Sequence, residues 1–366
     1  MNKDSCVYKY EKDGVVAEIV AYVDDLLIAS SNKEWVKTFK EQLMRDYMVT
    51  DGGPLGEFLG LRYERDRDAR TIQVRATDYI DGLVDKYLRD GERRVHAAKT
   101  PMLSRVDLRV REGDTGVGNK RYAELVGALN YLATTCRPDI AYAVGVLCRY
   151  MHNHKIEHWN AAKRVLCYLH GTRNMGVKLG GHEVYGENGL RITMYTDADW
   201  AGDVETRRST TGYVLFMGNS PVCWKSKRQT TVAQSTCEAE YTALGIGSMH
   251  LKWRIDLLEE VGEKVDLPPD VTCDNEGTIA VVVVLPAGDH APLRRDRPDG
   301  GQVVLLDLVV GLDVAGSARG TEVAAEAPLA AGLVVEAAPT GRVAPPRVAG
   351  ALSVLDLFQA VQRIAE

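Results

Sequence analysis

Polar and apolar positions change period several times along this chain of 366 residues. The first change is the most informative. From Glu18 to Ile28 the order is Glu18-Ile19-Val20-Ala21-Tyr22-Val23-Asp24-Asp25-Leu26-Leu27-Ile28, two apolar stretches of strand length around adjacent carboxylates. The run predicts a β-hairpin that carries Asp24 and Asp25 side by side at its tip. In isolation such a pair is a turn motif, because aspartate accepts local backbone hydrogen bonds. Next, Trp35, Val36, Phe39, Leu43 and Met44 recur at helical spacing between Asn32 and Met48, with Asn32 as the cap and Gly52-Gly53-Pro54 as the stop. Phe58–Tyr63 and Thr71–Val74 read as a strand pair around a polar turn. Thr77–Leu88 reads as a helix with Tyr79, Ile80, Leu83, Val84 and Tyr87 on one face.

Leu103–Asn119 is a charged, glycine-containing linker without periodicity. Three helical stretches follow: Tyr122–Thr134, then one opened by Pro138 and running to Met151, then Glu157–His170, which stops before Gly171. Their short joins predict a helical hairpin or small bundle. From Leu190 the period becomes that of strands, at Arg191–Thr196, Gly212–Met217 and Val222–Lys225. A long helix over Thr236–Val261 and a strand at Val271–Cys273 come next. The expected fold class is α+β or mixed α/β.

Composition changes this picture at one place. Near residue 281 the chain turns to Val, Ala, Gly, Leu, Pro, Arg, Asp and Glu: no lysine follows Lys264, no asparagine follows Asn275, and Phe358 alone is aromatic after Trp253. A low-complexity tail, poorly ordered and carrying no chemistry, is expected from there, with Val303–Val310 strand-like and Leu352–Ile364 amphipathic. The net charge of -6 argues against a uniformly basic nucleic-acid binder and leaves room for local basic patches. Seven singly scattered cysteines, without a C-x-x-C pair, point to reduced thiols. With neither a signal-peptide signature nor a run long enough to span a bilayer, a cytoplasmic or nuclear setting and no membrane partner are expected.

The candidate chemistry lies in carboxylates at element ends. Thr196-Asp197 closes the first strand of the third segment, Glu238-Ala239-Glu240 sits in the first turns of the long helix, and Asp274-Asn275 follows the next strand. Carboxylates so placed can converge, and hard divalent ions take oxygen ligands. Taken singly, each residue also suits a cap or a helix N-terminus. Lys225, Lys227 and Arg228, with Arg207 and Arg208 in the preceding turn, form a basic group suited to phosphates or to an ordinary solvated face.

The order of motifs resembles one family. Tyr195-Thr-Asp-Ala-Asp-Trp-Ala-Gly202, Arg208-Ser-Thr-Thr-Gly-Tyr213, Trp224-Lys-Ser-Lys-Arg-Gln229, Ser235-Thr-Cys-Glu-Ala-Glu-Tyr241 and Cys273-Asp274-Asn275 resemble the ribonuclease H domain of copia-type LTR retrotransposon Pol polyproteins. Tyr22-Val-Asp-Asp25 resembles the reverse transcriptase palm motif of that family. Leu55–Leu61, Thr100–Met102, Tyr122–Gly127, Arg137–Ile140 and His158–Arg164 follow its usual course. The resemblance covers roughly residues 15 to 280, and the ordered set is far more specific than any single motif.

It implies the following. Residues 1–102 would be the C-terminal part of the palm and thumb, 103–189 a helical thumb and connection region, 190–280 an incomplete ribonuclease H-like domain, and 281–366 an unrelated tail. Asp24 and Asp25 would hold the polymerase metal. Asp197, Glu240 and Asp274 would hold the ribonuclease H metal, Mg2+ or Mn2+, with Glu238 outside the ligand set. Arg207, Arg208, Lys225, Lys227 and Arg228 would face an RNA–DNA hybrid, and other parts of the parent Pol polyprotein would be partners. The family pattern also has a third palm aspartate and fingers on earlier elements, so polymerisation by this chain alone is not expected. Near the C-terminal end it has a fourth ribonuclease H carboxylate and a closing strand and helix. Here only Asp289 beside His290 is superficially alike. Ribonuclease H is therefore the expected activity, the alternative being an inactive remnant that at most binds nucleic acid.

Overall fold

The computed structural model describes residues 4–89, 95–103, 108–109, 119–284, 293–296 and 302–305. The hairpin forms as the sequence predicts, within a three-stranded antiparallel sheet of β1 (Val7–Lys12), β2 (Val15–Tyr22) and β3 (Asp25–Ser30). Helix α1 (Lys33–Asp46) follows, its first turn closed by the Asn32 side chain accepting from the Trp35 amide at 3.0 Å. No residue of α1 is fully buried. Its aromatic face stacks as Tyr10, Trp35 and Phe39, with ring centroids 4.9 Å apart.

A second antiparallel sheet has the order β4 (Glu57–Phe58), β5 (Leu61–Asp66), β6 (Thr71–Arg75) and β7 (Val177–Gly180). Two expectations are corrected here. Phe58–Tyr63 is not one strand: Leu59 and Gly60, at φ 55° and 71°, turn the chain back on itself between β4 and β5. The Tyr131 hydroxyl donates to the Leu59 carbonyl and holds that turn. Strand β7 was not foreseen at all, since four residues beside two glycines carry too little period to be read. Its partner β6 lies far upstream, with Gln73 Nε2 reaching the Val177 carbonyl across 104 positions.

Helices α2 (Thr77–Tyr87), α3 (Asn119–Thr135), α4 (Ala141–Cys148) and α5 (Ile156–Gly171) pack on one another, with α2 lying against β5 of this sheet. Pro138 opens a single 3₁₀ turn before α4 rather than α4 itself. Ile80, Leu125, Leu129, Leu132, Leu147 and Leu166 are fully buried between the helices. Most of the linker at 103–119 lies outside the described residues.

The third sheet is mixed. Strands β8 (Ile192–Asp199), β9 (Thr210–Met217) and β10 (Ser220–Arg228) run antiparallel, helix α6 (Thr236–Val261) crosses one face, and β11 (Asp270–Thr272) pairs parallel to β8. Strand β8 runs two residues past Asp197, so that aspartate lies within the strand rather than at its end. The apolar run after Ile279 is helical, as part of α7 (Glu276–Val284). The sheet order is β10-β9-β8-β11-β13-β12, where β12 (Leu293–Asp296) and β13 (Gln302–Leu305) come from the compositionally biased region. Leu352–Ile364 and the strand-like reading beyond Leu305 fall outside the described residues, as do Asp289 and His290.

The parts share one apolar core. The Trp224 indole donates to the Ala133 carbonyl at 2.6 Å, tying β10 to α3, and the Ser220 hydroxyl reaches the Gly180 carbonyl at 3.2 Å, tying β10 to β7. Among the described residues no helix is long and apolar enough to cross a membrane.

Candidate functional sites

At the hairpin tip, Tyr22 and Asp25 form the last pair of the β2–β3 ladder, which leaves Val23 and Asp24 as a two-residue turn. Such turns need a left-handed first residue. Val23 takes it, at φ 55°, although its branched side chain opposes that conformation and stands almost wholly in solvent. Asp24 and Asp25 are both exposed; burial pushes the Asp25 carboxyl up, and the charge of Asp24 adds to it. Among the described residues no third candidate ligand joins them. They open onto a cleft of about 2020 Å³ bounded by α1, β3 and the β5–β6 hairpin, with Lys33, Lys40, Arg65 and Arg67 on its walls. Val23→Gly should stabilise the protein by about 1 kcal/mol by relieving the turn. A lower urea midpoint for the variant would show that the valine is not strained.

The second constellation lies at the other end of the molecule's sequence. Ile192, Met194, Thr196 and Ala198 of β8 face inward, and α6 approaches them closely because Gly247 has no Cβ; one there would lie 2.9 Å from the Met194 sulfur. The start of α6 is fixed by Ser235, whose hydroxyl accepts from the Glu238 amide at 3.1 Å, while Glu238 accepts from the Gln234 amide at 2.7 Å. Glu238 is thereby accounted for as a capping residue. Glu240, two residues on and so on the opposite face of α6, is buried against β8. Its Oε1 accepts from the Ala198 amide at 2.9 Å, and its Oε2 has no hydrogen-bond partner.

Parallel pairing sets Thr272 of β11 beside Tyr195, which brings Asp274 level with Asp197. Asn275 next to it caps α7 by accepting from the Thr278 amide at 2.8 Å. Burial pushes the Glu240 carboxyl up to about 7 against the opposing Ala198 hydrogen bond, and the charges of Asp197 and Asp274 push the same way. Burial likewise raises Asp197, with Asp274 the next cause. The three carboxylates therefore feel one another. An unsatisfied buried oxygen among mutually repelling carboxylates suits a hard divalent cation. The tightest group is nevertheless a different one. Glu240, Cys273 and Asp274 offer ligand atoms within 4.8 Å of one another, and Asp197 is not in that set. Cys273 was missed by the sequence reading, because a cysteine at the end of a buried strand reads as core; its position directly before Asp274 was the available signal.

The basic candidates divide. Lys225 and Lys227 project together from the exposed face of β10, and Arg207, at φ 56°, lies exposed in the β8–β9 turn beside the half-buried Arg208. Arg228 is half-buried and held by an ion pair. Its Nη1 lies 2.6 Å from Asp203 Oδ2, which also takes Arg149 Nη1 at 2.9 Å, while Thr206 donates its amide and hydroxyl to Oδ1 at 2.8 and 2.7 Å. Burial raises the Asp203 carboxyl, but these hydrogen bonds and the Arg228 charge outweigh it and hold the group well below the usual carboxylate range.

Residues 4–103 match the family described as reverse transcriptase (RNA-dependent DNA polymerase). The chain is 35% identical over 274 residues to the retrovirus-related Pol polyprotein from transposon RE2 of Arabidopsis thaliana, a match covering 75% of this chain and 18% of that protein. It is 33% identical over 267 residues to the counterpart from transposon TNT 1-94 of Nicotiana tabacum, covering 71% of this chain and 19% of the relative. With the putative transposon Ty5-1 protein YCL074W of Saccharomyces cerevisiae the identity is 30% over 238 residues, covering 64% of this chain and 73% of the relative. The chain thus spans under a fifth of the two Pol polyproteins. No solved structure matches it. The mixed α/β chain with the Asp24–Asp25 hairpin belongs to the copia-type retrotransposon Pol family and matches its reverse transcriptase domain over residues 4–103.

Proposed function

We propose that this chain hydrolyses RNA in RNA–DNA hybrids through Asp197, Glu240 and Asp274, as the ribonuclease H-like portion of a Pol polyprotein. The observation that carries the reading is the convergence of β8, the second turn of α6 and the end of β11 on one group of carboxylates, with the Glu240 oxygen left unsatisfied. On this reading residues 1–102 are the C-terminal part of the palm and thumb, 103–189 a helical thumb and connection region, 190–280 an incomplete ribonuclease H-like domain and 281–366 an unrelated tail. A bound Mg2+ or Mn2+ would supply Lewis-acid stabilisation of the attacking and leaving oxygens of the phosphodiester. Asp197, Glu240 and Asp274 would hold the ion, and the Ala198 amide fixes one oxygen of the Glu240 carboxylate. Arg207, Arg208, Lys225 and Lys227 would steer the hybrid by sequence-independent phosphate contacts, whereas Arg228 acts through Asp203. Asp24 and Asp25 would be two ligands of the polymerase metal. With no third ligand beside them among the described residues, nucleotide addition is not proposed for this chain alone.

A labelled RNA–DNA hybrid incubated in magnesium tests the reading. Cleavage by the parent chain that disappears in Asp197→Asn is expected. Binding without cleavage by the folded parent would instead identify an inactive retroelement remnant.

A further inference from the structure

The group of Glu240, Cys273 and Asp274 has a chemistry that three carboxylates lack. Its atoms lie within 4.8 Å of one another, and its sulfur is almost completely enclosed, with Cys273 1% exposed. Glu240 is 6% exposed, and its Oε2 has no hydrogen-bond partner although its other oxygen is anchored to the Ala198 amide. Magnesium has little use for a thiol. Zinc and cadmium prefer one, and zinc binds sulfur at about 2.3 Å and carboxylate oxygen at about 2.0–2.2 Å in a tetrahedron. Such distances put neighbouring ligands nearer than 4.8 Å, the separation within which all three ligand atoms already lie. Asp197 lies outside the set.

We propose that Cys273, Glu240 and Asp274 form a binding site for thiophilic divalent ions, zinc or cadmium, which shares two carboxylates with the magnesium site proposed above and excludes Asp197. The thiol gives its proton to solvent as the sulfur–metal bond forms, and a water completes the tetrahedron. The site rests on the geometry of these three residues; only its overlap with a catalytic centre rests on the function proposed for the chain.

The test titrates the full, metal-free chain with cadmium and reads the ultraviolet cadmium–thiolate charge-transfer band. The band is expected in the parent and in Asp197→Asn, and it is expected to be absent from both Cys273→Ser and Cys273→Ala. In Glu240→Gln the midpoint should weaken by at least about tenfold. Magnesium should shift the parent's midpoint to higher cadmium, because the two ions compete for the same carboxylates. An undiminished band in either Cys273 variant would overturn the proposal by assigning the metal to another of the seven cysteines. So would loss of the band in Asp197→Asn, whereas indifference to magnesium would overturn only the claimed overlap with the magnesium site. Since no arm reads hydrolysis, an inactive chain would sink the proposed function and leave this result standing.

Discussion

Glu240→Gln is expected to abolish hybrid cleavage while making the metal-free protein more stable at pH 8. Both effects come from the same buried group. As a cation ligand the anionic carboxylate has no substitute in an amide, so activity should fall by more than about a hundredfold, beyond the losses that even outer-shell changes cause. Stability moves the other way. Below about pH 4.5, the ordinary value for a glutamate, folded and unfolded chains both hold the Glu240 proton. Between there and about 7 only the folded chain holds it. Stability therefore declines as pH rises through that window, and the loss is complete above it. The glutamine has no proton to lose, keeps an oxygen for the Ala198 amide, and turns an NH2 toward Asp197 and Asp274. Thermal melts in EDTA from pH 5 to 8 should show the parent falling relative to the variant. Magnesium should restore the parent alone, because it binds the native state and favours its charged carboxylates. Parallel melting curves for the two proteins would mean that Glu240 sits in an ordinary solvated setting.

The second large effect is expected at Asp203. Its side chain is 8% exposed and pairs with two guanidinium groups, of Arg149 at the end of α4 and Arg228 at the end of β10, whose side chains are 17% and 29% exposed. Asp203→Ala leaves both cations facing each other without an anion, which should cost about 3 kcal/mol. The pH dependence is opposite in sign to that of Glu240. A carboxyl held below its unfolded value of 3.8 stabilises the fold above that pH, and the contribution drains away in acid. Urea unfolding at neutral pH should separate parent from variant, and the difference should shrink toward pH 3. A difference well under 1 kcal/mol at neutral pH would mark the cluster as a solvated surface pair. The same contacts shape the turn bearing Arg207 and Arg208, since the Arg207 amide donates to the Asp203 carbonyl at 2.8 Å. Hybrid affinity should weaken in the variant through that route.

Much of this architecture was legible in the residues, and the reasons are specific. Asn32 announced α1 because an asparagine directly before an amphipathic run satisfies the first free amide of a helix. The adjacent aspartates between two apolar stretches announced the β2–β3 hairpin, since only a tight turn leaves both runs half-buried. The long helix α6 spans the range the pattern predicts, and the structure shows its ends capped by Ser235 and by Gly262 at φ 91°. What stayed hidden depended on distant partners. Leu59 gives no sign of the left-handed turn that the Tyr131 hydroxyl helps to hold, and Val177–Gly180 becomes a strand only because β6 offers it an edge. At the carboxylate group the motifs named Asp197, Glu240 and Asp274, but Cys273 and the two arginines of Asp203 required three elements to be placed in space. A side chain's usual environment, core for cysteine and solvent for arginine, does not tell which partners it meets there.

The late arrival of β7 has a consequence for the order of events during synthesis. When a ribosome has delivered β4, β5 and β6, the free edge of Thr71–Arg75 must wait until the chain has been extended to Gly180 before its backbone amides and carbonyls find β7. Until then the nascent chain displays an unpaired, apolar-backed edge, the kind of surface on which other chains add strands. A protein shortened between α2 and α5 would keep that edge for good. Chaperone demand and aggregation of shortened products thus follow from one hydrogen-bonded seam between distant parts of the chain.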